Sequence, residues 1–205
     1  MAAIPVAALV VATQSLPDIF IAASGRNAGI VLEDDRGRPE LFMYTTRRDR
    51  FSASVWGEAL GLDVPRGRRR PSTRSLAEAM QIATCDAGGC VAMLPISDGQ
   101  TNSYKQGVVG ELDSRQSGVG ETAKSELVVS MIEDQAYLRE DCQRADLVIA
   151  MFPASSREWS ACKAVIIDRR AVWRRGAHTV RINGDEIDIT TVRGYRGERP
   201  WAGNY

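Results

Sequence analysis

The chain has 205 residues, 44% hydrophobic and 25% charged, which suits one well-buried globular domain and leaves little room for a second core. With 26 basic and 26 acidic residues the formal net charge is zero, so no global field draws the chain to nucleic acid. Only three of the 26 basic residues are lysines (Lys105, Lys124, Lys163). A GC-rich coding sequence explains that bias, and selection for planar phosphate-binding forks is the functional alternative.

The N-terminus is apolar from Met1 to Ala12. That run is shorter than the roughly 20 residues that span a bilayer, and it lacks the basic leader of a signal peptide. By its residues it reads as a buried first helix or strand of a soluble domain. Next, Asp18 to Ala23 and Ala28 to Glu33 read as strands around a turn at Ser24-Gly25-Arg26-Asn27. Glu40 to Tyr44 follows a second turn, giving an antiparallel meander. Asp34-Asp35, beside Arg36-Gly37, reads as a solvated part of that turn and not as a carboxylate site.

Asp49 to Leu62 is a predicted helix, with Phe51, Val55, Ala59 and Leu62 at helical spacing and Gly61 near its end. Pro65 to Arg74 is a basic loop carrying Arg66, Arg68, Arg69, Arg70 and Arg74. Val91 to Ile96 is a strand, and Ser97 to Thr122, rich in Gly, Ser, Asp, Asn and Gln, reads as a long exposed insertion. Leu127 to Ile132 is apolar, Glu133 to Arg144 a helix, Leu147 to Phe152 a buried strand, and Pro153 to Ala161 a loop.

Val165-Ile166-Ile167 is a buried strand that ends at a sheet edge with Asp168-Arg169, and the chain then turns through Gly176. A hairpin follows, in which Asn183-Gly184 suits a turn with positive φ at both central residues. Val180, Ile182, Ile187 and Ile189 share one face of it, and Arg181 and Asp188 the other. Arg193 to Trp201 is too rich in Arg, Gly and aromatics to be a simple strand end. Strands and helices mix with β in excess and without strict βαβ alternation, which predicts an α/β (α+β) fold built as a β-rich sandwich.

Three sets of residues carry chemistry. Cys85, Cys90, Cys142 and Cys162 fit disulfides, of which three pairings exist, a Cys₄ zinc site with wide spacing, or reduced buried thiols. His178 is the single histidine. A general base needs an orienting partner and a nucleophile, and the sequence identifies neither. A lone histidine leading into a strand is more often a hydrogen-bonded structural residue. Finally, Arg169, Arg170, Arg174, Arg175, Arg193, Arg196 and Arg199 crowd the C-terminal region beside Trp173, Tyr195 and Trp201. Arginine forks beside aromatic rings can grip single-stranded nucleic acid by charge and stacking, and they also occur as a solvated surface with aromatic anchors.

Four elements in fixed order resemble ComEC-type competence proteins of DNA uptake. They are Pro17-Asp18 before a strand and Gly25-Arg26, Cys85-Asp86-Ala87-Gly88-Gly89-Cys90-Val91-Ala92, Glu140-Asp141-Cys142-Gln143-Arg144-Ala145-Asp146-Leu147-Val148, and the C-terminal Val165 to Trp201. The C-terminal match includes Gly176-Ala177-His178 and Arg193-Gly194-Tyr195-Arg196-Gly197-Glu198-Arg199-Pro200-Trp201. The long insertion after Val91 to Ile96 departs from that pattern. The resemblance implies a stub of a transmembrane helix over residues 1–16 and one metallo-β-lactamase-like domain over 17–205. It further implies an inner-membrane location with the domain on the periplasmic side. The partners it implies are the membrane-embedded remainder of the channel and single-stranded DNA.

Hydrolases of that fold gather several histidines and aspartates around one or two metal ions. One histidine cannot build such a site. The expectation is therefore a degenerate, non-catalytic accessory domain with no cofactor, no metal ligands and no catalytic residues. The alternative is a metallo-β-lactamase-type hydrolase or nuclease with an unusual site. Within this resemblance the oxidising compartment implies at least one disulfide, involving Cys85 or Cys90. The residues assigned to DNA contact are Arg193, Arg196, Arg199, Trp201, Trp173 and Tyr195.

Overall fold

A computed structural model of the chain describes residues 16–34, 36–47, 49–62, 74–79, 82–96, 126–184 and 186–197. The N-terminal apolar run to residue 15, Arg66 to Arg70 of the basic loop, the Ser97 to Thr122 insertion, Arg199 and Trp201 lie outside the described residues.

The first sheet has the order β11-β10-β1-β2-β3-β4. Its meander is β1 (Ile19–Ile21), β2 (Ala28–Glu33) and β3 (Pro39–Met43), antiparallel as the turn residues predict. The hairpin β10 (His178–Asn183) and β11 (Glu186–Thr191) joins β1, and the short β4 (Arg74–Ser75) joins β3 in parallel. Arg74 thus opens a strand and does not belong to the basic loop. It pairs with Glu40 at 3.3 Å and lies 5.6 Å from the Phe42 ring centroid. The second sheet has the order β5-β6-β7-β8-β9, with β5 (Ala83–Cys85), β6 (Gly89–Pro95), β7 (Glu126–Ile132), β8 (Leu147–Ala150) and β9 (Val165–Asp168). β7, β8 and β9 run parallel, and β9 has no second neighbour in the described sheet.

The two sheets face one another across the main core. Ile19, Ile21, Ile30 and Val180 of the first sheet meet Leu94, Val129, Met131, Leu147 and Ile149 of the second. Each fully buried Ile or Leu in this layer contributes about 2 kcal/mol. Helices cover the two outer faces. α1 (Arg50–Ala59) packs on Phe20, Leu41 and Met43, and α2 (Gln135–Arg144) packs on Ile132, Val148 and Ile166. The molecule is a mixed α+β, β-rich sandwich.

Three local readings are corrected by this arrangement. First, α1 turns Trp56, Gly57 and Leu60 inward and leaves Phe51 at 79% and Val55 at 44% exposure. Ala53, Trp56, Gly57 and Leu60 satisfy helical spacing as well as the expected stripe does. The choice falls to Trp56, the largest apolar group, which stacks on Phe20 at 5.4 Å. The rotation is fixed by Asp49, which caps the helix and accepts a 2.5 Å hydrogen bond from the Ser24 hydroxyl. Second, Pro153 to Ala161 contains α3 (Ser156–Ala161), opened by a capping box between Ser155 and Glu158. Third, the hairpin turn begins one residue later than expected. Asn183 pairs with Glu186 as a strand residue, and Gly184 alone of the expected pair has positive φ, 63°. The cross-strand pairs Val180–Ile189, Ile182–Ile187 and Arg181–Asp188 are those the alternation requires.

Among the described residues the buried polar side chains are satisfied. Asn27, fully buried, accepts from the Ala28 and Thr45 amides and donates to the Thr45 carbonyl at 2.9 Å, closing the β1–β2 turn against the end of β3. Ser130 of β7 donates to Asp141 of α2 at 2.7 Å. At the surface, Asp34 accepts from the Arg36 and Arg38 amides and from the Arg38 guanidinium, which hold the turn and lower its carboxyl pKa to about 2. Asp35 lies outside the described residues.

Candidate functional site

All four cysteines are paired. Cys85–Cys90 bridges directly opposed residues of β5 and β6, and Cys142–Cys162 ties α2 to the end of α3. Both zinc and free-thiol readings therefore fall, and two disulfides place the fold in an oxidising environment. No helix of the described residues is long and apolar enough to cross a membrane. Among the described residues no three His, Cys, Asp or Glu side chains converge as metal ligands.

The C-terminal arginines and aromatics are organised by two helices that the sequence reading did not resolve. α4 (Arg169–Arg175) follows β9 directly and α5 (Val192–Arg196) follows β11, and the two helices touch. The hinge of the arrangement is Asp168, 1% exposed at the end of β9. One carboxylate oxygen accepts from the Ala171 amide at 2.7 Å and caps α4, and the other accepts from the buried Ala154 amide at 2.8 Å. Gly25 adds a close contact: at φ 61°, a Cβ there would meet the Arg169 Cγ at 2.9 Å.

Buried Val172 anchors α4, which leaves Arg170, Trp173, Arg174 and Arg175 outward, with Trp173 71% exposed. Arg170, Arg174 and Arg175 make no ion pair or hydrogen bond among the described residues. Tyr195 on α5 is 87% exposed, with Arg193 and Arg196 exposed beside it. Of the expected DNA-contact set, α4 exposes Trp173 and the touching helix α5 exposes Arg193, Tyr195 and Arg196, and α4 adds Arg170 and Arg174. The sequence signal for those additions was the Asp168 cap ahead of a short segment with one buried position.

Two hollows flank α4 and share Arg170 and Arg174. A cleft of 550 Å³ lies between Trp173, Arg169 and the Ala23-Ser24 turn. On the other side, a groove of 740 Å³ follows the free side of β9, between Trp159 and Ser160 of α3, Arg175 of α4, and Ile189 of β11.

His178 opens onto that groove although the residue is only 3% exposed. Its Nδ1 lies 2.8 Å from the Gly176 carbonyl, which can only accept, so Nδ1 carries the proton and Nε2 is an unprotonated acceptor. Burial pushes the imidazole below its ordinary value of 6.5; the Gly176 hydrogen bond opposes this and the Arg175 charge adds to it. The orienting partner missing from the sequence reading is therefore a backbone carbonyl. The arrangement can bind an anion and accept a proton.

No family model matches the chain. No curated protein and no solved structure is significantly similar to it.

Proposed function

We propose that the chain is a non-catalytic, DNA-handling domain of a ComEC-type uptake channel, set on the periplasmic side of the inner membrane beside the membrane-embedded remainder. The single observation that carries this is the α4–α5 face. There, Arg170, Arg174 and Arg175 of α4, which make no ion pair among the described residues, and the exposed Trp173 stand on a helix that touches α5, which carries the exposed Tyr195. Guanidinium groups neutralise phosphates and rings stack on bases whatever the sequence, as a strand in transit requires. The two disulfides support an oxidising compartment. The β-rich sandwich supports a degenerate metallo-β-lactamase-like domain.

The zero net charge means that attraction is local, so binding to single-stranded DNA is weak, sensitive to salt and indifferent to sequence. The test is fluorescence anisotropy of a labelled single-stranded oligonucleotide at low salt. The parent should bind, and a variant combining Arg170→Ala, Arg174→Ala and Trp173→Ala should not. Equal binding by parent and variant would remove α4 from any grip on the strand.

A further inference from the structure

The groove along β9 has features that a strand-gripping surface does not need. One is a polar side chain more than nine-tenths buried, His178, whose Nε2 has no hydrogen-bond partner among the described residues. Among the described residues no fully buried side-chain nitrogen or oxygen lacks a partner, so Nε2 is not sealed from solvent, and the groove is the hollow that His178 lines. The second is the arrangement of the walls. Arg170, Arg174 and Arg175 supply three positive charges on one side, and the Trp159 indole, 42% exposed, and Ile189 supply an apolar bed. The third is size, since 740 Å³ suits one small molecule.

We infer that this groove binds a phosphomonoester carried on an aromatic base, a nucleotide in chemical class. Arg170, Arg174 and Arg175 hold the phosphate, the Trp159 indole stacks on the base, and His178 Nε2 accepts the phosphate hydroxyl. Guanidinium forks match phosphate oxygens in pairs, which explains why this wall is arginine. A phosphomonoester monoanion keeps one hydroxyl proton near pH 6. That hydroxyl donates to Nε2, and no other proton enters or leaves. Asp168 is the acid facing this site, and its two oxygens are already engaged by backbone amides. α3 adds Ser156 and Ser160 and β11 adds Ile189, so no further charge lines the groove among the described residues.

The inference does not rest on the DNA-uptake reading, because a free mononucleotide satisfies it. A nucleotide and the 5′ end of a DNA strand present the same chemistry, and the experiment separates them. His178 is the only histidine, so its ring Hε1 proton gives one unambiguous NMR signal in the untagged protein. At pH about 6, deoxyadenosine monophosphate should shift that signal to saturation. Deoxyadenosine should bind at least about tenfold more weakly, and Arg170→Ala with Arg174→Ala should raise the dissociation constant about tenfold or more. Trp159→Ala should weaken the nucleotide and leave inorganic phosphate unchanged. These surface variants avoid unfolding the protein through the buried imidazole. A 5′-phosphorylated oligothymidylate that shifts the signal, where its 5′-hydroxyl counterpart does not, assigns the strand end as a source.

An imidazole signal that stays still up to about 10 mM nucleotide and phosphorylated oligonucleotide, or that moves equally for deoxyadenosine or in the double-arginine variant, overturns the site. Nucleotide binding in a protein that fails to bind the hydroxyl-ended strand keeps this site and removes the proposed function.

Discussion

Helices α2 and α4 are built alike and charged differently. Each is capped by an aspartate, Asp134 or Asp168, and each buries a narrow apolar side, Leu138 and Cys142 in one and Val172 in the other. In α2 the arginines share the helix with acids. Arg144 pairs with Glu140 at 2.5 Å, and Asp141 is engaged by Ser130. In α4 four arginines stand with no acid among seven residues, and a tryptophan stands out between them. An arginine-rich coding bias acts on both segments, so it cannot explain why only one lacks neutralising partners. Like charges packed into two turns cost stability, and a bound anion would offset that cost.

The largest expected contrast is between the two caps. Asp134 is exposed and serves the Ala136 amide alone, so Asp134→Ala should cost about 1 kcal/mol. Asp168 is buried and serves two amides, one of them buried, so Asp168→Ala should cost about 3 kcal/mol and release α4. Urea unfolding of both variants measures this, and equal costs would remove Asp168 as the organiser of the site.

The disulfides sharpen the same contrast, because α2 is stapled and α4 is not. Cys142–Cys162 closes a separation of 20 residues, and Cys85–Cys90 one of 5. Loop entropy assigns about 3 kcal/mol to the first and about 2 kcal/mol to the second. Replacing each pair by alanine and comparing unfolding midpoints should give that order; the reverse order would show that strain or residual structure outweighs loop length.

A smaller effect separates the two helices as binding surfaces. Arg170→Ala with Arg174→Ala in α4 should lower the slope of log affinity for single-stranded DNA against log salt by about 1.4, while Arg139→Ala with Arg144→Ala in α2 should leave it unchanged. Trp173→Ala alone should cost about 1–3 kcal/mol of binding. Equal slopes for the two double variants would mean that charge placement on α4 has no part in binding.

The smallest effect is in pH. The folded imidazole of His178 lies below its ordinary value of 6.5, so the unfolded chain takes up the proton first as pH falls. The stability it contributes is present above 6.5 and is lost as pH drops from there through the depressed folded value. Unfolding midpoints should fall over that interval in the parent and fall less in His178→Gln. A parallel pH profile in the variant would assign the loss to other groups.

Much of the fold was legible because it rests on local rules. Turn residues set the β1–β2–β3 meander, alternation set the register face of Val180, Ile182, Ile187 and Ile189, and continuous apolar runs marked β7, β8 and β9 as buried. The face of α1 was not legible, since two apolar stripes share its sequence and only the Phe20 surface selects Trp56. α3 and α4 were hidden by their length. Six or seven residues do not make a periodic pattern, although the Ser155–Glu158 box and the Asp168 cap mark their starts.

By itself the sequence determined the β-rich mixed class, the pairing potential of four cysteines, the scarcity of histidine and the crowding of arginine with aromatics near the C-terminus. Each of these is a matter of composition or short-range spacing. Only the tertiary structure decided which cysteines meet, which side of α1 is buried, and that α4, with Trp173 and its arginines, touches α5, which carries Tyr195. It alone decided that His178, distant in sequence from Trp159, opens onto the same groove. Those outcomes depend on contacts between β9, β10, α3 and α4, and such contacts are fixed by how the sheets and helices pack.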